Sequence, residues 1–288
     1  SNGGNVIAPH KPNPQLHTSR ACCSHSSFVN SIITRDRVTM KIDLESIYSD
    51  YITEESKKGR ADFENNYKGW YTASAAGSCF KKQLLRKIGK KGPDPDGRVQ
   101  RLLRLGTAVH LEFENAVNRF HDRNPNIDIY TEHRVTIPEI EVTGSLDIAV
   151  LAGDSLDVYD IKTVASYKWR KQFGHIKNRD KNPSVNYELQ LGTYAIGMAN
   201  ETGANPDKIF MYLAWYNKDN SGMKIKEVPV FWMDNAFEYW TELIDRVEEA
   251  NNNPDEMIPG EPNIPVANWE CKYCEFHQLY CEGVPSNR

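Results

Sequence analysis

Apolar residues recur at three- and four-residue steps over 99–121, where Leu102, Leu105, Val109, Phe113, Val117 and Phe120 form one stripe. That period predicts a helix with one face against a core. The pattern then shortens. Residues 128–137, 142–151 and 156–164 are β-branched runs with a side-chain period of two and predict three strands. A helix is predicted over 184–201, strands over 208–216 and 223–232, and a further helix over 234–251. Upstream, 41–58 reads as a helix and 78–91 as a short basic one, with the Pro/Gly-rich KKGPDPDG as a loop. Helices, three strands, a helix, two strands and a helix make an α/β chain with a central mixed sheet flanked by helices.

Residues 1–39 break from this patterning. They are rich in Ser, Asn, Pro and His, hold one acid, Asp36, and show no sustained period, so they are expected to be a disordered tail or a tag, with Met40 a natural start. The expected folded domain is 40–288. It divides into a helical part at 41–125, a catalytic core at 126–251 and a Pro- then Cys-rich tail at 252–288.

Composition narrows the class. The net charge of −4 gives no bulk attraction for polyanions, so contacts to nucleic acid must come from local basic patches. No apolar run approaches the length of a membrane span, and no membrane partner is expected. Six cysteines in 288 residues do not resemble a secreted disulfide framework. A reducing, intracellular compartment is expected, the cytoplasm of a prokaryote or of an infected host cell. Cys22 and Cys23, in the tail, read as bystanders.

The stretch GSLDIAVLAGDSLDVYDIKTV, 144–164, holds four aspartates, which strands usually avoid. Gly153-Asp154 at the centre of AGDS predicts a two-residue hairpin. That turn sets Asp147 opposite Asp160 on one face, with Leu146, Ile148 and Val150 on the other, and places Lys162 one pleat from Asp160. Two like charges directly opposite destabilise a sheet unless a positive charge lies between them. Two carboxylates and a backbone carbonyl suit Mg²⁺ or Mn²⁺. A lysine beside them can hold a water and stabilise charge accumulating on phosphorus, the need of phosphodiester hydrolysis. Asp154 and Asp157 read as turn and loop-edge residues.

The Asp147, then Asp160-x-Lys162 arrangement resembles the PD-(D/E)XK nuclease superfamily, and GSLD followed by DIKT is similar to its RecB-like branch. Two further stretches share that resemblance. In GTAVHLEFE, His110 and Glu114 lie four apart on a helix, similar to the branch's G-x-x-x-H-x-x-x-E motif. In YELQLGTYA, Gln190 and Tyr194 are similar to its Q-x-x-x-Y motif. The resemblance implies a restriction-endonuclease-like fold. It also implies a cation held by His110, Asp147, Asp160 and the carbonyl of Ile161, and a catalytic set of Asp147, Asp160, Lys162, Gln190 and Tyr194.

Cys271, Cys274 and Cys281 form C-x2-C-x6-C, with Cys79 far upstream. Four thiolates meet the needs of a 4Fe–4S cluster or a structural zinc, and His277 is an alternative ligand. The one-plus-three layout resembles iron–sulfur members of the branch, the AddB-like and CRISPR-associated RecB-like exonucleases. It implies a 4Fe–4S cluster tying the helical part to the tail.

Residues 166–184 carry Lys168, Arg170, Lys171, Lys177, Arg179 and Lys181 interleaved with Tyr167, Trp169 and Phe173, the mixture of cations and rings that binds single strands. Tyr167, Lys168, Trp169, Arg170 and Lys171 are the foremost candidates. Lys81, Lys82, Arg86, Lys87, Lys90 and Lys91 offer a second wall. The expected activity is a metal-dependent DNA exonuclease, and the family resemblance implies a preference for single-stranded DNA or DNA ends, with 5′→3′ polarity commonest. The alternative is an end-binding or trimming subunit for CRISPR spacer acquisition or a helicase–nuclease. Self-association and recombination or CRISPR partner proteins stay open.

Overall fold

A computed structural model describes residues 33–34, 37–38, 42–175, 177, 179, 184–252 and 268–282. Lys181, most of the 1–39 expectation and the Pro-rich part of the tail lie outside the described residues. The chain divides into two compact units, 1–47 and 48–288. In the first, β1 (Ile33–Thr34) and β2 (Arg37–Val38) form an antiparallel pair. Next in the chain come α1 (Leu44–Asn66), β3 (Tyr71–Thr72), α2 (Phe80–Lys87) and α3 (Gly97–Arg123). The strands β4 (Asp128–Ile137), β5 (Val142–Ala152) and β6 (Ser155–Val164) follow. Then α4 (Ser166–Phe173), α5 (Val185–Thr202), β7 (Ile209–Asn217), β8 (Gly222–Val228), α6 (Trp232–Ala250) and α7 (Asn268–Lys272) complete the order.

Six of these strands make one mixed sheet. β4, β5 and β6 are consecutive antiparallel neighbours, β6 and β7 are parallel, and β8 closes the far edge antiparallel to β7. The parallel step needs a long crossover, which α4 and α5 supply. β3 joins parallel to β5 at Val142 and Thr143. Those two residues pair on their other side with Ile137 and Thr136, so β3 and β6 share one edge of β5, end to end. A two-residue strand has no periodicity to read, and the sequence patterning does not foresee β3.

The larger core lies between the sheet and α5 and α6. Leu146, Leu156, Val158, Leu213 and Trp215 meet Leu191, Ala195, Met198, Trp240 and Leu243, all buried. Each such large side chain contributes roughly 1.5–3 kcal/mol by leaving water. Trp240 Nε1 donates to Thr193 Oγ1 at 2.8 Å, so the indole enters the core with its polar atom satisfied. α5 and α6 cross closely because position 192 is glycine. A Cβ there would stand 2.2 Å from the carbonyl oxygen of Trp232.

The opposite sheet face carries a small cluster, Ile148, Ile161 and Ala214, covered by Phe113 and Val117 of α3. This corrects the sequence expectation for α3. Its stripe is apolar along its whole length, yet Leu102, Leu105 and Phe120 are about half exposed. Only the middle of α3 touches the sheet; its first turns stand beside an open cleft.

Candidate active site

The hairpin forms as its turn residues dictate. Ala152 pairs with Ser155, Gly153 takes φ +67°, and the register runs back to Ile148 opposite Tyr159. Asp154 holds Lys208 at 2.8 Å beside the turn. Asp157 sits inside β6, opposite Val150, and accepts from Tyr159 Oη at 3.4 Å, so it is a strand residue rather than a loop edge.

The ladder ends one residue before the two carboxylates. Asp147 and Asp160 are opposite in register, but the strands have parted there. Asp147 Oδ2 accepts the backbone N–H of Ile161 at 2.5 Å in place of a strand carbonyl. The N–H and C=O of one strand residue point to the same edge, so the carbonyl of Ile161 faces that gap too. α5 packs closely against β5 nearby. A Cβ on Gly144 would lie 2.9 Å from both the Tyr194 ring and Ala73 Cβ, so only glycine lets Tyr194 lie against β5.

The alternation expected along β5 also breaks. Leu146 belongs to the larger core, Ile148 to the smaller cluster and Ala149 to the larger core again. The cause is a paired distortion. β4 pairs Thr131 with Ile148 and His133 with Leu146, and the ladder skips the position between them, where Glu132 stands opposite Asp147. Glu132 has φ +48°, left-handed and uncommon for a non-glycine residue in a strand. Irregularities of this kind re-aim side chains near active sites.

Lys162 is the best-held group here. Its Nζ lies 2.7 Å from Asp160 Oδ2 and donates to Gln190 Oε1 at 2.7 Å. Gln190 Nε2 in turn donates to Tyr194 Oη at 3.0 Å. The Tyr187 ring centroid lies 4.7 Å from the ammonium, a cation–π contact. Tyr187 also meets Trp215 edge-on. Asp160 is 2% exposed, and its Oδ2 meets Lys162 as an ion pair without hydrogen-bond alignment, leaving that atom with no hydrogen-bond partner. Burial pushes its carboxyl up to about 6, against the pull of Lys162 and with the push of Asp147.

His110 faces this group from α3, its Nδ1 3.0 Å from Asp147 Oδ1. Burial opposes charge on the imidazole, but the Asp147 and Asp160 carboxylates outweigh it and raise its pKa. Glu114, one turn on, is raised by burial and by hydrogen bonding with Glu132. His110, Glu132 and Asp147 each offer a ligand atom within 4.8 Å of the others. Sequence analysis missed Glu132, although the predicted β4–β5 pairing could have found it opposite Asp147.

These residues fit a divalent cation. They supply carboxylates, an imidazole, an edge carbonyl and a buried carboxylate oxygen with no hydrogen-bond partner. The site opens into a cleft of about 420 Å³ lined by Val99, Leu102, His110, Glu132, Thr163 and Lys218 among others.

The expected DNA-binding residues occupy α4. Trp169 and Phe173 contact each other and pack on the core, leaving Tyr167 as the exposed ring. Lys171 Nζ lies 5.9 Å from the Tyr167 ring and Lys168 Nζ 5.8 Å from Tyr187. Arg170 is exposed. The proposed second wall is different. Arg86 pairs with Glu275, Lys87 with Glu141 and Lys91 with Glu64, Lys90 lies over Tyr280, and Lys81 is buried. Arg86 and Lys87 of that helix, and Lys91 beyond it, are thus paired with acids of the protein itself.

α2 also receives the 268–282 segment. The N–H of Cys79, at the start of α2, donates to Glu270 Oε1 at 2.7 Å, next to Cys271 in sequence. The Gln278 N–H donates to the Cys281 carbonyl at 2.8 Å, and no disulfide joins the four described cysteines.

A model of the PD-(D/E)XK nuclease superfamily matches residues 81–281. No curated protein matches the chain. Among solved structures, the chain is similar to the crystal structure of SSO0001, with 16% identity, 80% of this chain and 94% of that one covered, and a TM-score of 0.47. It is similar to a putative exonuclease from Eubacterium rectale, with 15% identity, coverages of 86% and 97%, and a TM-score of 0.47. For an alkaline exonuclease from Laribacter hongkongensis the values are 14%, 67%, 94% and 0.42. The match from α2 through the last cysteine covers most of the chain and takes in the whole carboxylate–lysine site: the protein belongs to the PD-(D/E)XK nuclease superfamily.

Proposed function

We propose that this protein is a metal-dependent DNA exonuclease that hydrolyses single strands or DNA ends, with 5′→3′ polarity. The observation that carries the reading is Lys162, fixed between Asp160 and Gln190 at the rim of the His110–Asp147 group. An ammonium has three donors. One donor goes to Gln190 and the Asp160 carboxylate pairs beside it, so the ammonium is oriented from two sides and can still hold the attacking water or a phosphate oxygen. A Mg²⁺ or Mn²⁺ held by His110, Asp147, Asp160 and the Ile161 carbonyl would neutralise phosphate charge and acidify water. Gln190 and Tyr194 fix the lysine, Tyr187 backs it, and α4 with Tyr167, Lys168, Arg170 and Lys171 leads the strand past it.

We read the four cysteines as ligands of a structural 4Fe–4S cluster. Four thiols outside any disulfide occur on two segments that the Cys79–Glu270 bond ties together.

The test is a cleavage assay with 5′- and 3′-labelled single and double strands in Mg²⁺ and in Mn²⁺. Mononucleotides or short products released from the 5′ end of single strands are expected. Tight binding of DNA ends without cleavage in either cation would overturn the enzyme reading in favour of an end-binding subunit.

A further inference from the structure

We propose that Glu132 is a direct protein ligand of the catalytic cation, closing the His110–Asp147 side of the site. The inference rests on the metal-dependent reading above and adds a residue to it.

Four observations converge on Glu132. Its carboxylate, the His110 imidazole and the Asp147 carboxylate have ligand atoms within 4.8 Å of one another, the spacing of atoms that share one ion. The backbone is distorted at this residue: Glu132 is left-handed at φ +48°, and the β4–β5 ladder skips the position where it opposes Asp147. A regular strand pair would satisfy those backbone groups, so the distortion places two acids rather than serving the sheet. The side chain is also held in place, since the Ser145 hydroxyl lies 3.2 Å from Glu132 Oε2 and donates to the Glu132 carbonyl at 3.1 Å. Finally, Asp160, in register with Asp147, buries a carboxylate whose Oδ2 has the Lys162 ammonium beside it as an ion pair but no hydrogen-bond partner.

The chemistry follows from charge. Glu132 and Asp147 bring two carboxylates together beside His110, and Glu114 hydrogen-bonds with Glu132. Lys162 is committed to Asp160 and Gln190. His110 faces Asp147. A divalent ion is the natural counter-charge on the Glu132 side. Glu132 is exposed at the cleft rim, so an ion there keeps a face open to water and to a phosphate. With an imidazole in the set, Mn²⁺ is favoured over an all-oxygen Mg²⁺ site.

The test is Mn²⁺ binding to the full chain, by calorimetry and by electron paramagnetic resonance, which needs no turnover. Glu132→Gln keeps the side-chain shape, and Glu132→Asn places there a residue that tolerates the left-handed backbone. Both are expected to fold by circular dichroism and to bind Mn²⁺ at least about tenfold more weakly than wild type. If Asp160→Asn weakens Mn²⁺ binding while folded Glu132→Gln or Glu132→Asn binds as wild type does, Glu132 is no ligand and the metal reading stands. If wild type itself takes up no Mn²⁺, the metal reading fails and this inference fails with it.

Discussion

Asp147 Oδ2 accepts the backbone N–H of Ile161 at the point where β5 and β6 part. A side chain thus takes the place of a strand, and the gap this opens lies at the candidate active site. Asp147 is oriented on both oxygens, by Ile161 through one and His110 through the other, before any substrate arrives. Preorganisation of this kind avoids reorganisation during reaction.

Removing the ammonium should silence the site. Lys162→Ala is expected to lower cleavage by about 10²–10³-fold or more, as for loss of a preorganised charge stabiliser. The far-UV circular dichroism should be unchanged. Cleavage at the wild-type rate by the variant would remove Lys162 from the mechanism.

Stability should depend on pH through Asp160. Its folded pKa is raised from 3.8 to about 6, so the folded state holds a proton that the unfolded chain releases earlier. That contribution is complete below 3.8 and is lost as pH rises through about 6. In EDTA, Asp160→Asn should therefore gain on wild type across this window by on the order of 3 kcal/mol, and the difference should level off above it. Paired urea titrations at several pH values measure it. A difference that stays flat with pH would contradict the assignment.

Gly144 has a steric duty. Gly144→Ala puts a methyl 2.9 Å from the Tyr194 ring and from Ala73 Cβ. Overpacking of this type is expected to destabilise the fold by about 1–3 kcal/mol. Because Tyr194 supports Gln190, the rate of cleavage should fall along with the denaturation midpoint.

Tyr194→Phe isolates the hydroxyl. It removes the acceptor of the Gln190 Nε2 bond, a buried contact, at an expected cost of about 1 kcal/mol. Gln190 keeps its bond to Lys162, so cleavage should drop far less than in Lys162→Ala. Equal losses in the two variants would mean that the hydroxyl itself takes part.

The cysteine site predicts a colour. Anaerobically purified protein should be brown and hold about four irons per chain, as a 4Fe–4S cluster requires. Cys79→Ala should lose the colour and lower the melting temperature. Colourless wild-type protein carrying stoichiometric zinc would contradict the cluster assignment.

Much of this arrangement is legible in the chain. The period of two and the Gly153-Asp154 turn locate β5 and β6 almost to the residue, and with them the facing pair Asp147 and Asp160. The four-residue spacing of Gln190 and Tyr194 places both on one side of α5, where they meet. Other features depend on tertiary choices that no local pattern records. The α3 stripe is uniform in sequence, but the small apolar cluster it covers is shorter than the helix, so Leu102 and Leu105 are left beside the cleft. Glu132 escapes notice because its left-handed backbone arises from opposition to Asp147, not from its neighbours in sequence. The basic residues in and after α2 look like a binding surface until Glu275, Glu141 and Glu64 are brought from distant segments to Arg86, Lys87 and Lys91.

The bond from the Cys79 N–H to Glu270 joins residues 191 positions apart. Contacts of such separation are slow to form because a long loop must close before they reward it. During synthesis at about 5–20 residues per second, the sheet, which ends at Val228, emerges roughly two to eight seconds before Glu270 does. The order of manufacture thus separates the two ends of the chain in time. The carboxylate–lysine group can assemble first, and the four cysteines can come together only when translation has passed Cys281.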